Sequence, residues 1–328
     1  MESLGIQKVE WLAKNLDVSV EDLKLAAEYK SDFVRERTIC ERDKTRDVVY
    51  TVGLLREIQE RLFHRILIPK FLPSPECHGA VRDKSILSHA EVHAASRFLY
   101  TADIAHFYPS ISNYYVYELF IRFGCSPDVS RLLTETCTWK SKLALGLVTS
   151  PIIANQVLVP FDEKLTHACQ IRGLTYSRFV DDIAISSRYR IRTESVRKLV
   201  DRLLRTCHMK AKRSKEECGR IEDLLVTKLR IRHGRVSASP VYFLELQRQL
   251  EDHVALGRGL DFNGPLKTRS QLMGKLYFVK WINAGQSQIL WPIFKRINWQ
   301  SVSKLTTKES LVAHANGIAF DMDEDIPF

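Results

Sequence analysis

Two adjacent aspartates, Asp181 and Asp182, lie between apolar runs in the segment FVDDIAIS at residues 179–186. If buried together, the two carboxylates would resist joint ionisation, because like charges a few ångströms apart repel each other. A divalent cation removes that cost, and the apolar flanks are typical of two strands joined by a tight turn. The segment therefore predicts a β-hairpin whose turn presents both carboxylates to a cation. The alternative is a plain turn with solvated acids, since aspartate is common in turns.

A second segment, FLYTADIAHFYPSIS at 98–112, also ends an apolar strand in an acid. Asp103 closes the strand, and the aromatic residues Phe107 and Tyr108 follow it. Magnesium prefers oxygen ligands and keeps waters or substrate phosphates in its coordination shell. Nucleotidyl transfer uses two such ions held by carboxylates from separate strands. One ion lowers the pKa of the attacking 3′-hydroxyl, and the other neutralises charge on the leaving pyrophosphate. The two acidic segments fit that division of ligands.

Composition narrows the class of protein and of partner. With 49 Lys+Arg against 39 Asp+Glu, the formal net charge is +10. This charge favours a polyanionic partner without separating nucleic acid from an anionic membrane surface. At 45% hydrophobic and 27% charged residues, the chain is neither collagen nor low-complexity disorder. No apolar run is long enough for a membrane span or a signal peptide, so we expect a cytoplasmic protein without a membrane partner. The seven cysteines are scattered without a CxxC pair and predict reduced thiols.

Hydrophobic periodicity predicts strands and helices in no βαβ order, and therefore an α+β fold. Helices are expected at 19–31 (with Ser19 as N-cap), 52–67, 128–139, 151–170 and 266–284. Strands are expected at 46–52, at 98–104, on both sides of the Asp-Asp turn, and in the segments LLVTKLRI and GRVSAS after about residue 219.

Several ordered motifs resemble those of the prokaryotic reverse transcriptases, and of the retron type most closely. DIAHFYP at 103–109 resembles the first catalytic motif of the family, and FVDD resembles its catalytic turn, usually Tyr-Ala-Asp-Asp. LALGLVTSP at 143–151 stands where the family has Leu-Pro-Gln-Gly-x-x-x-Ser-Pro. Further similar segments are RDVVYT (46–51), HGAVRDKSI (78–86), HAEVH (89–93), KRSK (212–215) and LLVTKLRI (224–231). The resemblance covers about residues 40–235.

The resemblance implies a right-hand polymerase fold. N-terminal helices and fingers would occupy 1–97. A palm with an antiparallel sheet, the Asp-Asp hairpin and inserted fingers elements would occupy 98–218. The end of the palm and a basic, helical, RNA-binding thumb would occupy 219–328.

The resemblance also implies the catalytic and metal-binding groups. Asp103, Asp181 and Asp182 would be the catalytic carboxylates. Together with the backbone carbonyl of Ile104, they would hold two Mg²⁺ ions, with Mn²⁺ as an alternative.

Six residues would form the nucleotide site by the same resemblance: Arg46, Phe107, Tyr108, Leu145, Gly146 and Lys215. Arg46 would grip the triphosphate, and Lys215 would act near the pyrophosphate as a proton donor or point charge. Tyr108 stands at the steric-gate position, where its ring would crowd a ribose 2′-hydroxyl. Gly146 would let the backbone approach the nucleotide. The alternatives are solvated charges for the two cations and a core aromatic for the tyrosine.

The chain departs from the family pattern around the nucleotide. Leu145 replaces the glutamine that contacts the incoming nucleotide and template pair, and Ala144 replaces the proline before it. Other departures are His106 for Asp, His89 for Asn and Lys228 for Gly. Because the metal ligands are intact, we expect catalysis with different substrate handling: reduced base selection, preference for simple sequences, or untemplated addition.

In the C-terminal third, cations and aromatics alternate along 266–284. Cations could follow phosphates while aromatics stack on unpaired bases. The RNA-binding candidates are Lys267, Arg269, Lys275, Tyr277 and Lys280. The alternative is an amphipathic helix with its aromatics in the core.

The leading hypothesis is a retron-type RNA-directed DNA polymerase, a nucleotidyltransferase that uses dNTPs. Its partners would be a structured noncoding RNA serving as template and primer, the DNA product, and a separate effector protein in antiphage defence, with higher-order assembly as an option. One alternative is a defence-associated reverse transcriptase making untemplated, protein-primed or simple-repeat DNA. Another is an inactive RNA-binding scaffold, which would not need a costly cluster of three aspartates.

Overall fold

The computed structural model describes residues 3–41, 44–259 and 266–303. The chain divides into two compact units, Met1–Ile221 and Glu222–Phe328. The division into fingers, palm and thumb at 97/98 and 218/219 stays a prediction.

Helices surround the sheets of the first unit. In chain order they are α1 (Val9–Leu16), α2 (Val20–Glu28), α3 (Lys30–Phe33), α4 (Gly53–Leu62), α5 (Ile68–Lys70), α6 (Ile86–Glu91), α7 (Asn113–Arg122), α8 (Pro127–Cys137), α9 (Ser150–Val157), α10 (Val159–Gln170) and α11 (Thr193–Thr206). The N-cap predicted for α2 is confirmed, because the Ser19 side chain accepts a hydrogen bond from the amide of Asp22 at 2.9 Å.

Two antiparallel sheets belong to the first unit. A hairpin pairs β1 (Val34–Glu41) with β2 (Lys44–Thr51). A four-stranded sheet has the order β4-β5-β3-β6, built from β3 (Phe98–Ile104), β4 (Thr175–Phe179), β5 (Asp182–Ser187) and β6 (Ala211–Arg220). The predicted strand at 98–104 is confirmed, and it occupies an inner position between β5 and β6. The α+β prediction is confirmed as well.

Two predicted helices are interrupted. The helix expected over 151–170 is two helices, α9 and α10, which meet at Leu158. Pro160 explains the break, because proline has no amide to donate to the carbonyl four residues earlier and is tolerated only in a first turn. The helix expected over 52–67 ends its α-helical part at Leu62 and continues as a π-helical turn, Phe63–Leu67.

The second unit combines a small sheet with three helices. The strands β7 (Leu225–Val226), β8 (Leu229–Arg232) and β9 (Arg235–Ala238) form an antiparallel sheet in that order. The helices are α12 (Pro240–Leu256), α13 (Arg269–Ile282) and α14 (Ala284–Lys295). Leu250, Leu276 and Leu290, one from each helix, are fully buried and form part of the core of this unit.

The structure bears on the expected state of the cysteines and on the expected absence of a membrane span. All seven cysteines are free thiols. Within the described ranges, no helix has the length and apolarity that crossing a bilayer requires.

Candidate active site

The Asp-Asp segment forms a tight hairpin. Phe179 pairs with Asp182, so β4 and β5 are joined by the two residues Val180 and Asp181. Asp181 therefore lies in the turn, while Asp182 is already the first residue of β5. Val180 has φ 56°, a left-handed conformation that is unusual for a β-branched side chain. Such a turn persists only where its surroundings hold it in place.

A buried arginine holds the carbonyl of this turn. Arg178 Nη1 donates a hydrogen bond to the carbonyl oxygen of Val180 at 2.6 Å. Its Nε and Nη2 donate to the two carboxylate oxygens of Asp162 on α10, at 2.9 and 2.7 Å. Both side chains of this ion pair are fully buried, and Tyr176 donates a further hydrogen bond to Asp162 at 2.6 Å. Arg178 and Asp162, which the sequence did not single out, therefore position the turn.

The loop before α6 packs directly on the hairpin. The amide of His78 donates to the carbonyl of Arg178 at 2.7 Å. A Cβ atom on Gly79 would lie 2.3 Å from the amide nitrogen of Val180, closer than real contacts allow. Asn155 on α9 donates to the carbonyl of Gly79 at 2.9 Å. Only glycine fits at position 79, which gives a physical role to the sequence segment HGAVRDKSI.

Three histidines lie behind the hairpin. The two ring nitrogens of His93 are each 2.7 Å from a serine hydroxyl, one of Ser186 on β5 and one of Ser177 on β4. The ring of His89 lies between those of His93 and His78, with centroid distances of 5.8 and 5.6 Å. Burial is the main cause that lowers the pKa of His93 to about 3 and of His78 to about 4, and it holds the pKa of His89 well below its ordinary value. The cluster is therefore neutral at physiological pH and links both strands.

The three predicted aspartates lie at the same end of the sheet, two in strands and one in the turn. Asp103 on β3 lies directly opposite Asp182 on β5, and the amide of Ile104 donates to the carbonyl of Asp181 at 3.0 Å. Asp103 is only 9% exposed. Burial raises the pKa of Asp181, while the positive charges of Arg46, Arg178 and Lys212 act in the opposite direction. Carboxylates from two strands thus meet at one end of the sheet.

An irregularity in β6 brings cations to the same end. Its pairing with β3 jumps from Thr101–Glu217 to Asp103–Lys212, so residues 213–216 bulge out of the ladder. From this bulge, the ammonium of Lys215 forms an ion pair with Asp103 Oδ2. Lys212 is directly opposite Asp103 in the register. The sequence pointed to Lys215 and missed Lys212, although both belong to the KRSK motif.

The donor chemistry of this site suits a hard divalent cation. Side-chain carboxylates and backbone carbonyls are the oxygen ligands that Mg²⁺ prefers, and two opposed carboxylates need positive charge between them. In the described part of the chain, no three His, Cys, Asp or Glu side chains are already arranged to hold a metal ion. The Lys215 ammonium is the cation in contact with Asp103. Asp103, Asp181 and Asp182 are the groups that could hold the metal.

Tyr108 lies within electrostatic reach of the turn. Burial raises the pKa of its hydroxyl to about 12, and the negative charge of Asp181 contributes in the same direction. Phe107 beside it is buried at 6% exposure, with the two ring centroids 5.1 Å apart. This location is compatible with the expected nucleotide site.

The segment that contains Leu145 and Gly146 is fixed to β2. The amide of Val49 donates to the carbonyl of Leu145 at 2.8 Å. Gly146 has φ 102°, and a Cβ there would lie 2.5 Å from the carbonyl oxygen of Val49. Arg46 lies on this same strand and is near enough to influence the pKa of Asp181. Strand β2 therefore carries Arg46, which acts on Asp181, and holds the backbone of Leu145, whose side chain is 37% exposed.

The RNA-binding candidates on α13 and just before it differ in how exposed they are. Arg269 and Lys280 are exposed, Lys280 Nζ lies 5.8 Å from the Tyr277 ring centroid, and Tyr277 is 52% exposed. Lys267 is half-buried. Lys275 requires a correction: it is buried at 8% exposure and donates to the side chain of Gln249 at 3.3 Å. Its ammonium faces the interior of the unit, so it is not available to phosphates.

The family match and the sequence relatives agree with each other. The family described as reverse transcriptase (RNA-dependent DNA polymerase) matches residues 42–244. The Retron Se72 reverse transcriptase of Salmonella heidelberg (strain 579083-10) is 32% identical over 243 residues, covering 70% of this chain and 60% of that protein. The Retron Ec86 reverse transcriptase of Escherichia coli is 28% identical over 179 residues, covering 54% of this chain and 56% of that protein.

In both cases the chain spans less than two thirds of the relative's own length. A solved structure of telomerase from Candida albicans with a fragment of telomeric RNA has a TM-score of 0.46 at 9% identity, over 79% of this chain and 56% of that one. The family match at 42–244 contains the three aspartates and every residue of the expected nucleotide site.

Proposed function

Because the chain belongs to the reverse transcriptase (RNA-dependent DNA polymerase) family, with retron reverse transcriptases among its relatives, we propose that it is an RNA-directed DNA polymerase. Its mixed helices and antiparallel sheets are those of the right-hand polymerase fold. The observation that carries the proposal is the direct pairing of Asp103 with Asp182, beside the Asp181 turn. A scaffold that only binds RNA gains nothing from three carboxylates at one end of a sheet.

The proposed metal site consists of Asp103, Asp181 and Asp182, with the carbonyl of Ile104 as a further ligand. Bound divalent ions, two Mg²⁺ in this proposal, would supply the charge that activates the primer 3′-hydroxyl and stabilises the leaving pyrophosphate. The ion pair of Lys215 with Asp103 keeps an ammonium at this end of the sheet. From there it can donate a hydrogen bond or a proton to the pyrophosphate as it leaves.

The proposed nucleotide site lies between the aspartates and β2. Arg46 would bind the triphosphate through charge-assisted hydrogen bonds. Tyr108 would press its ring against the sugar and so favour deoxynucleotides. Leu145 would contact the base pair through apolar surface only, because it has no side-chain donor or acceptor. Base selection would then depend mainly on pairing with the template.

We further propose that the template is a structured noncoding RNA that copurifies with the protein, as the resemblance of its motifs to the retron type implies. A role in antiphage defence with a separate effector protein belongs to the same proposal. Untemplated or simple-repeat synthesis is the second candidate function, and the observation that favours it is the exposed Leu145 in place of glutamine.

The experiment uses protein purified together with its bound nucleic acids, supplied with Mg²⁺ and labelled dNTPs, and the product is sequenced. A product complementary to the bound RNA supports the proposal. A homopolymer or irregular product supports the second candidate, and no product supports a scaffold. Asp181→Asn should abolish incorporation without reducing the amount of copurified RNA. The matched control, Asp32→Asn, changes an exposed aspartate of α3 and should leave both unchanged.

A further inference from the structure

The end of the four-stranded sheet opposite the aspartates has an unusual concentration of arginine. Phe98 begins β3 and pairs with Ser187 at the end of β5 and with Arg220 at the end of β6. The residues that surround this end form what we call the basic ridge: Arg97, Arg188, Tyr189, Arg190, Arg192 and Arg220. Three neighbouring strands, about 4.8 Å apart, thus present cations across roughly 10 Å.

Backbone hydrogen bonds join Arg97 to the chain on both sides of it in the sheet. The amide of Arg97 donates to the carbonyl of Ser187 at 2.9 Å, and the carbonyl of Arg97 accepts from the amide of Ile221 at 3.0 Å. Arg97 is thereby bonded to the residue before Arg188 and to the residue after Arg220. Arg97 and Arg220 are thus held beside the end of β5, and Arg188, Arg190 and Arg192 follow that strand in the segment before α11.

Acidic side chains do not neutralise the arginines of the basic ridge. All five are exposed, and within the described ranges none forms an ion pair with a carboxylate. Glu194, nearby in sequence, is paired with Arg197 and Lys198 instead. Arginines of the first unit that do have carboxylate partners are Arg56, Arg61, Arg82, Arg178, Arg197 and Arg213. Uncompensated like charges that cluster at one end of a sheet favour binding of a polyanion.

The side chains of the ridge indicate RNA as that polyanion. The guanidinium fork matches phosphate oxygens in a bidentate geometry. Tyr189 is 82% exposed among these cations, which suits an aromatic that stacks on an unpaired base. Anionic lipid headgroups also attract clustered cations, but RNA offers both phosphates for the guanidinium groups and unpaired bases for the exposed tyrosine.

We propose that the basic ridge binds a segment of the RNA that is not being copied. The distance along β3 from Phe98 to Asp103 is five residues, or about 17 Å, and the ridge lies at the far end of that strand. An RNA held there is outside the reach of the carboxylates and anchors the molecule while another segment is copied. This inference rests on the proposed function, since it assumes an RNA substrate.

The test compares two triple variants of equal charge. The ridge variant is Arg97→Gln/Arg188→Gln/Arg190→Gln. The control replaces three exposed arginines without carboxylate partners elsewhere in the unit, Arg131→Gln/Arg202→Gln/Arg205→Gln.

Binding of a fluorescein-labelled oligouridine is measured by anisotropy across a potassium chloride series. For single strands, each lost phosphate contact lowers the slope of log K against log salt by about 0.7. The ridge variant should therefore lose about two units of slope, and the control should keep the wild-type slope. Equal slopes for the two variants overturn the proposal.

Primer extension separates this proposal from the proposed function. On a short RNA template with a DNA primer, both variants should extend as wild type does, because the ridge is remote from the carboxylates. If wild type fails to extend, the proposed function fails, while the slope difference still supports an RNA-binding ridge. Ridge-dependent sedimentation with phosphatidylserine vesicles, without any slope difference on oligouridine, contradicts the RNA assignment.

A second measurement covers the case in which the ridge variant does not fold. Wild-type protein is cross-linked by ultraviolet light to oligouridine that contains 4-thiouridine, and the modified peptides are sequenced by mass spectrometry. The proposal predicts cross-links on the peptide with Tyr189 and their loss in Tyr189→Ala, whose exposed side chain contributes little to the core. Cross-links that avoid this peptide contradict the proposal.

Discussion

Acidification should destabilise the protein through the three histidines behind the hairpin. In the folded chain, burial holds the pKa of His93 at about 3 and of His78 at about 4, and that of His89 also lies well below its ordinary value. In the unfolded chain, all three titrate near 6.5. Below pH 6.5 the unfolded chain therefore binds more protons. The stabilisation is fully present above pH 6.5 and is lost as pH falls toward the folded pKa values.

The size of the effect follows from linkage. At pH 5, which is 1.5 units below the unfolded pKa, each histidine that stays neutral when folded lowers the unfolding free energy by about 2 kcal/mol. His78 and His93 together contribute about 4 kcal/mol, a large part of the roughly 5–15 kcal/mol that holds a domain folded. The raised pKa of Asp181 acts in the opposite direction, because the folded state then binds a proton more readily.

The assay is urea unfolding followed by far-UV circular dichroism at several pH values between 7.5 and 5. The variant His89→Asn restores the residue that the resemblance assigns to retrons and removes one of the three histidines. As the pH is lowered from 7.5 to 5, the unfolding free energy of this variant should therefore fall less steeply than that of wild type. The control, His64→Asn, changes an exposed histidine and should keep the wild-type slope. The same slope for wild type and His89→Asn would refute a buried, neutral cluster.

Three further predictions concern the hairpin and the nucleotide site. Gly79→Ala should destabilise the protein by about 1–3 kcal/mol through overpacking against Val180. Gly274→Ala, where an added methyl group meets open space on α13, should stabilise it by about 0.5–1 kcal/mol. Thermal unfolding of the two variants measures the difference. Leu145→Gln should lower the misincorporation frequency on an RNA template, measured by product sequencing. An unchanged error spectrum contradicts the idea that Leu145 reduces base selection. Tyr108→Ala should raise the use of rNTPs relative to dNTPs by about 10-fold or more; an unchanged ratio of kcat/KM values argues against a steric gate.

The sequence was most informative where an apolar strand pattern is followed directly by a residue with metal-binding chemistry. The strand that carries Asp103 was predicted with its correct limits, 98–104, because an apolar run with an acid near its end has few other interpretations. The Asp-Asp turn was predicted for the same reason. The break at Leu158 was missed because the apolar periodicity continues through Pro160, although proline disrupts the backbone hydrogen bonds.

Other features depend on partners that lie far away in the sequence. In the sequence, Arg178 and Asp162 look like ordinary surface charges. Only the fold shows that they form a buried ion pair and that this pair positions the turn. Lys275 resembled a phosphate ligand in a basic helix, but Gln249 on α12 gives it an internal partner. Nothing in the sequence around Gly79 shows that a side chain would not fit there, because the clash is with Val180 in the distant hairpin. Tertiary contacts of this kind leave no periodic signal in a single sequence.

Primer extension by Asp103→Asn, measured over a range of Mg²⁺ concentrations, tests the central claim most directly. Asp103 pairs with Asp182 in the sheet and contacts Lys215, so replacing its carboxylate removes negative charge from the proposed metal site. We predict at least about a 100-fold loss of incorporation, with circular dichroism and copurified RNA unchanged. Incorporation at the wild-type rate, with the same Mg²⁺ dependence, would contradict the three-carboxylate site.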